Sequence, residues 1–342
     1  SEMCIRDRYR PRGAQHETRV GRARHHRRQL LDRWKLHDPA RRDHRRQRDH
    51  RGGERGGEGY SLQQCRRGQS GPRGEDHQGR NDNKLIMALS NIEKHYNKHP
   101  EDLRLQRRHG IVEFETTMYH LRRLLRPGML LLDIGAGTGR YASALMAEGY
   151  KVKAVELVRR NIEVFRQRDP EADVVQGDAR DLSFILSDSA DATLLLGPLY
   201  HLIGEEEKLK ALREARRVTK PGGLIFVAYL MNEYSILSYC FDEERIGDFL
   251  ARGIVDHDFH IQTQEGELYD YVRLEDIDRL DSQAGLERVT IFSPDGPADY
   301  MRTRLNRMSD ETFAHFLAYQ KVVSERPDLI GAGSHVVDVV RA

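Results

Sequence analysis

An α/β fold on a doubly wound, mostly parallel sheet is predicted by three features of the sequence. Apolar runs with little polar alternation recur at 129–134, 152–158, 173–176, 192–196 and 224–230, the texture of strands covered on both faces. Amphipathic stretches stand between them, as parallel strands require of their crossovers. A glycine-rich turn, Gly135-Ala136-Gly137-Thr138-Gly139, follows the first run directly, where a ligand-binding strand-to-helix turn belongs.

The elements follow in order. A first helix is predicted over 110–126, with Ile111, Phe114, Met118, Leu121 and Leu125 on one face and Pro127-Gly128 ending it. Helices over 140–148, 159–168 and 205–218 separate the strands. The last carries Leu209, Leu212 and Ala215 on its apolar face and a Glu206–Lys210 pair elsewhere. The Pro221-Gly222-Gly223 turn ends that helix and starts the fifth strand. Regularity then breaks. Residues 232–272, rich in Tyr, Phe, Asp and Glu, read as a lid over the carboxyl ends of the strands, and 294–325 as a second substrate-lid element. A helix over 273–286, a strand at 288–292, a helix N-capped by Ser309 and a strand at 335–340 complete seven strands, the last two suiting an antiparallel edge.

Composition sets the limits. The formal charge of +2 hides a division: residues 1–84 hold 23 Lys+Arg against 12 Asp+Glu, whereas 85–342 hold 33 against 42. No apolar run approaches the roughly 18–20 residues that span a bilayer, so no membrane role is expected. The N-terminus lacks the apolar core of a secretory signal, and Cys4, Cys65 and Cys240 show no disulfide or metal spacing; the expectation is a cytoplasmic protein without a metal. Cys240 is expected to pack within the lid.

Residues 1–86 stand apart. Up to position 84 they hold 21 Arg and 7 His but only six Ile, Leu or Val, too little apolar surface to offset roughly 1–2 kcal/mol of backbone ordering per residue. We expect a disordered basic segment. Its opening SEMCIRDR resembles translated sequencing adapter, its composition resembles GC-rich DNA read out of frame, and Met87 offers a start, which together point to an artefactual or untranslated leader. As a real arm, its Arg-rich blocks would neutralise phosphates.

The chemistry begins at Asp133. Alternate glycines let the backbone approach a ligand, and the helix behind them presents unpaired N–H groups. A dinucleotide fold prefers GxGxxG, with room for a pyrophosphate; the spacing here is GxGxG, preceded by an acid that would repel pyrophosphate and suit a cationic ligand. Glu156 ends the second strand 23 residues later, where a carboxylate accepts both hydroxyls of a ribose. Asp178 lies 22 residues beyond, in Gly177-Asp178-Ala179-Arg180-Asp181-Leu182, placed to accept from an adenine amino group. Three acids at successive strand ends converge on one crevice.

With these motifs the region from about 95 to 342 resembles class I S-adenosylmethionine-dependent methyltransferases. LLLDIGAGTGRYA is similar to the family's first motif, AVELV to its ribose-binding strand end, GDARDL to its adenine-binding turn, DATLLLGPLYHL to its fourth motif and RVTKPGGLIFVAY to the stretch entering the fifth strand. The resemblance implies a seven-stranded Rossmann-like methyltransferase domain over 87–342, with S-adenosyl-L-methionine as cofactor. It places Gly135, Gly137 and Gly139 under the methionine part and Asp133 near its amino group. Glu156 would hold the ribose, Asp178 and the Ala179 amide the adenine, and Leu196-Gly197 would lie beside the sulfonium.

Methyl transfer is an in-line displacement, so the protein mainly supplies alignment and a dry site, worth roughly 7–11 kcal/mol. A base is needed only for a protonated acceptor. Tyr200 and His201, just after the fourth strand, are the candidates, either as base or as pocket wall; an aromatic face there also attracts a sulfonium. Glu113, Glu115, Thr116 and Tyr119 on the first helix either face the acceptor or form ordinary surface. The fourth motif departs from the Asn/Asp-Pro-Pro-Tyr pattern of enzymes that methylate base amines, no cysteine lies near it, and the folded region is acidic. A small-molecule acceptor is therefore expected. An RNA methyltransferase using the basic arm would lose activity without residues 1–86, and a non-catalytic binding module would bind the cofactor without turnover.

Overall fold

A computed structural model describes residues 91–95 and 107–342; the expectations about 1–86 lie outside the described residues. Helix α1 (Arg108–Leu124) leads into β1 (Leu130–Ile134), and α2 (Arg140–Ala147), β2 (Lys151–Glu156), α3 (Arg159–Arg168), β3 (Asp173–Gln176) and β4 (Ala190–Leu195) follow. A 3-10 turn, Pro198–His201, precedes α4 (Glu205–Val218) and β5 (Thr219–Leu230). The lid region contains α5 (Asn232–Ser235), a π-helical turn at Ile236–Phe241 and α6 (Ile246–Ala251). Then come α7 (Leu274–Ala284), β6 (Glu287–Phe292), α8 (Arg302–Leu305), α9 (Asp310–Val323) and β7 (His335–Arg341).

The seven strands form one sheet in the order β3-β2-β1-β4-β5-β7-β6. Pairs among β1 to β5 are parallel, while β7 runs antiparallel to both β5 and β6. The two late strands make the expected antiparallel edge: β7 lies between β5 and the edge strand β6, and β6 points the same way as β5. Alternation explains the burial. Leu132, Val155, Leu195, Ile225, Val227 and Val336 feed a core on one face, and Leu131, Val152, Ala154, Leu194, Phe226 and Val337 feed the core on the other.

One correction concerns β5, which starts at Thr219 rather than 224. Ala190 pairs with Thr219 and Ala192 with Leu224, so the Pro-Gly-Gly turn is a bulge inside the strand, anchored where the Gly222 N–H donates to the Ala342 carbonyl at 3.1 Å. Helix α4 runs as predicted. Its first turn carries Glu205, Glu206 and Glu207 and its last Arg216 and Arg217, charges that oppose the helix dipole at each end. Ser309 caps α9 by accepting from the Thr312 N–H at 3.2 Å.

The two lid elements differ in construction. Residues 232–272 hold a small core of their own, with Ile236, Cys240, Phe249, Val255, Ile261 and Tyr271 buried together. Buried Asn232 fixes it: its carbonyl oxygen accepts from the Ile261 N–H at 2.9 Å and its amide donates to the Phe259 carbonyl at 2.9 Å. Cys240 packs there as expected, and burial pushes its thiol up to about 11. The second element lies on α1, where Ala298, Leu305 and Phe313 pack against Val112.

Candidate active site

The strand order brings β1, β2 and β4 side by side, and their carboxyl ends carry the predicted residues. Gly135, Gly137 and Gly139 all have positive φ, at 75°, 57° and 82°, a region that suits glycine. Two of them are also forced by contact. A Cβ at Gly135 would stand 2.6 Å from the Pro198 ring, and one at Gly139 would stand 2.2 Å from the Phe165 ring. Gly137 differs, because a Cβ there would have no heavy atom within 4 Å. The middle of the loop thus faces open space.

Two carboxyl groups line the floor. Asp133 is 2% exposed, and its Oδ2 is buried with no hydrogen-bond partner. Burial, followed by the neighbouring Glu156, pushes it up to about 7. A buried carboxyl with one oxygen left unpartnered fits a cationic ligand group. Glu156 accepts from the Gly137 N–H at 2.8 Å through Oε2, and from the Val158 N–H at 2.9 Å and the Asn161 amide at 3.1 Å through Oε1. Burial raises its pKa despite those donors. Glu156 therefore ties the glycine loop to the start of α3, a role absent from the sequence reading.

Asp178 is held differently. Its Oδ1 accepts from the Arg180 N–H at 2.9 Å and Nε at 3.0 Å, and its Oδ2 from the guanidinium at 2.6 Å. Burial works against its charge, but the Arg180 bonds outweigh it and hold the carboxyl below the usual range. Arg180 reaches on to Glu207 at 2.5 Å, clamping the turn to α4. Ala179 is buried beside it.

On the β4 side, Leu196 packs against the core and Gly197 precedes the 3-10 turn. A Cβ at Gly197 would lie 3.5 Å from both the Gly135 carbonyl oxygen and the Tyr200 hydroxyl. The fourth motif thus touches the glycine loop, with the Tyr200 hydroxyl facing the same spot. His201 Nδ1 is 2.9 Å from the Leu268 carbonyl, and burial holds its pKa down at about 4. The segment above is fixed by three further bonds. Asp270 N–H donates to the Tyr200 carbonyl at 2.8 Å, the Gly204 N–H donates to the Asp270 carboxylate at 3.0 Å, and buried Lys208 pairs with that same carboxylate.

Several residues of this edge escaped the sequence reading. Tyr269 packs over His201 with ring centroids 5.1 Å apart, and its hydroxyl meets His95 Nε2 at 3.1 Å. His335, at the start of β7, lies opposite Leu230 at the end of β5. Its Nδ1 is 2.7 Å from Asp295 Oδ2, and its ring stands edge-on to Tyr200 at 6.2 Å. Asp295, Asp299 and His335 each bring a possible ligand atom within 4.8 Å of the others, but Arg302, 3.0 Å from Asp299, already places a fixed positive charge there. The signal missed was the antiparallel β7: once reversed, its first residue falls at the carboxyl edge. Of the first-helix candidates, Thr116 is fully buried and Glu115 pairs with Lys321 of α9 at 3.3 Å. Tyr119 stands edge-on to His120 at 5.1 Å and lies under the Arg123 guanidinium. Glu113 acts electrostatically on Asp295.

A doubly wound sheet with one reversed interior strand, a glycine loop at the first crossover and carboxyl groups at successive strand ends make up the candidate site. Residues 132–227 match the protein family described as a methyltransferase domain. That match takes in the glycine loop, Glu156, Asp178 and the fourth motif. A demethylmenaquinone methyltransferase from Renibacterium salmoninarum is 36% identical over 102 residues, covering 30% of this chain and 41% of its own length. A cypemycin N-terminal methyltransferase from a Streptomyces species is 35% identical over 103 residues, 29% of this chain and 40% of its own. The chain thus matches about two fifths of the length of these relatives. A Thermotoga maritima structure of a SAM-dependent methyltransferase, described as a possible histamine N-methyltransferase, is 20% identical over 74% of this chain and 99% of its own, with a TM-score of 0.47. Among the described residues no helix is long and apolar enough to cross a membrane.

Proposed function

We propose that this domain transfers the methyl group of S-adenosylmethionine to a small-molecule acceptor. The observation that carries the reading is the open space at Gly137 together with the buried Asp133 carboxyl, whose Oδ2 has no hydrogen-bond partner. S-adenosylmethionine supplies a methyl carbon made electrophilic by positive sulfur. Asp133 would receive its amino group, Glu156 the ribose hydroxyls, and Asp178 with the Ala179 amide the adenine. Leu196 and Gly197 would lie along the sulfonium, close to the Tyr200 hydroxyl.

Tyr200 and His201 take different parts in this reading. Tyr200 walls the space between cradle and acceptor. His201, kept neutral by burial and bonded to Leu268, holds the 266–272 segment in place rather than moving a proton. A small-molecule acceptor is favoured by the acidic balance of 85–342, since binding to phosphates relies on Lys and Arg. The Renibacterium relative is likewise named for action on demethylmenaquinone.

The test incubates the full chain with S-adenosylmethionine carrying a tritiated methyl group, together with either a small-molecule extract or total RNA. Label is expected in the small-molecule fraction, reduced at least tenfold by Tyr200→Ala and little changed in its donor dependence. Label in RNA, or none in either arm, contradicts the proposal.

A further inference from the structure

The turn after β4 carries Tyr200, and its backbone is held at every second residue by two groups from outside it. The Tyr200 carbonyl accepts from the Asp270 N–H at 2.8 Å. The Leu202 carbonyl accepts from the Lys208 ammonium at 2.6 Å. The Gly204 N–H donates to Asp270 Oδ2 at 3.0 Å, and the Lys208 ammonium bonds to that same oxygen. Lys208 is 2% exposed, a rare setting for a lysine unless it is paired. Burial works against its charge, and Asp270, followed by Asp276 of α7, works for it.

The far side of this clamp is fixed to the sheet. Asp270 Oδ1 accepts from the Tyr271 N–H at 3.1 Å. The Val272 N–H donates to the Leu230 carbonyl at 3.0 Å, and the Asn232 N–H donates to the Val272 carbonyl at 3.0 Å. Residues 270–272 are thereby tied to the end of β5, and Asp270 passes that constraint to the turn. What the turn carries is close to the glycine loop. The Tyr200 hydroxyl and the Gly135 carbonyl oxygen each lie 3.5 Å from where a Cβ on Gly197 would stand. A displacement of about 1 Å is enough to spoil an alignment of this kind.

We propose that Lys208 and Asp270 are positioning residues: their ion pair sets the turn, and through it the Tyr200 ring and hydroxyl, against the place of the donor's positive sulfur. This rests on the methyltransferase reading above. An aromatic ring with its hydroxyl oxygen attracts a sulfonium more than a neutral thioether. The pair therefore acts on the difference between S-adenosylmethionine and S-adenosylhomocysteine, which differ by one methyl group and one charge. The rival is a purely structural brace at the start of α4, with Tyr200 held instead by the Tyr269 ring 6.1 Å away.

The experiment titrates the full chain calorimetrically with S-adenosylmethionine and, separately, S-adenosylhomocysteine, and reads the ratio of the two affinities. Tyr200→Leu should shift that ratio against S-adenosylmethionine by about threefold or more, the lower part of the cation–π range. Lys208→Met and Asp270→Asn should each shift it the same way, with S-adenosylhomocysteine affinity kept within threefold. The double variant should shift it no further than the larger single one, as expected of residues that act as one unit. Lys208→Met leaves a carboxylate without its partner, so Lys208→Gln, which still offers a donor, takes its place should that variant unfold. A ratio unchanged in the Lys208 and Asp270 variants, or unchanged in Tyr200→Leu, overturns the proposal. So does an equal loss of both ligands, a double variant whose shift is the product of the two singles, or unfolding of all the Lys208 and Asp270 variants, each of which marks a structural brace. Binding of neither ligand by the parent chain overturns the methyltransferase reading instead.

Discussion

Asp133 shows how one residue couples fold to ligand. Its proton is held to about pH 7 in the folded chain, first by burial and then by Glu156, whereas an unfolded chain loses it near the ordinary value of about 4. The folded state therefore binds more protons between those values, and this group's contribution to stability falls as pH rises from about 4 to 7. A cationic amino group placed beside it reverses the preference and drives the proton off. Calorimetry near pH 6 in buffers of differing ionisation enthalpy should then show on the order of one proton released per S-adenosylmethionine bound. Asp133→Asn should abolish that release; a release that persists assigns the proton to another group. Glu156 is the second residue to test. Glu156→Gln keeps the shape but weakens charge-assisted bonds from Gly137 and Val158, each worth about 1.5–3 kcal/mol, so affinity for the donor should fall at least tenfold.

Among the elements, the glycine loop separates fold from function within five residues. At Gly139, Ala must adopt φ 82° and place its Cβ 2.2 Å from the Phe165 ring; Gly139→Ala should destabilise by more than the ~1–2 kcal/mol of left-handed backbone alone. Gly137→Ala meets open space, so it should cost only about that backbone term while filling the cradle and abolishing donor binding. Urea unfolding with a binding titration on each variant separates the two, and equal stability losses would contradict the packing described. These glycines were legible because strand, turn and helix are local. The first five strands were legible for the same reason, since unbroken apolar runs such as Leu130–Ile134 announce burial on both faces. His335 and Asp295 were not, because their meeting depends on β7 reversing between β5 and β6, a pairing set by contacts far apart in sequence. The wide bulge in β5 was hidden likewise, since Pro221-Gly222-Gly223 reads locally as a turn.

Over the whole molecule, the reversed strand is braced by charge. Asp338, fully buried at the centre of β7, receives Arg288 of β6 through two bonds of 2.8 Å. The same guanidinium reaches Asp278 at 2.5 Å and Asp281 at 3.2 Å on α7. One arginine thus joins the sheet's outer edge to the helix behind it. Arg288→Met strands a buried carboxylate and should cost roughly 3–5 kcal/mol, read as a lower urea midpoint; an unchanged midpoint would show that the edge holds without it. That edge matters to the site because β7 delivers His335 to the carboxyl end. The acidic region and the basic first 84 residues also divide the charge of the sequence.

The most direct measurement of the central claim is calorimetric titration of the full chain with S-adenosylmethionine, repeated on Glu156→Gln and Gly137→Ala. The account predicts one site per chain, weakened at least tenfold by the first substitution and lost with the second while both variants stay folded. No binding by the parent chain, or binding indifferent to both substitutions, would contradict it.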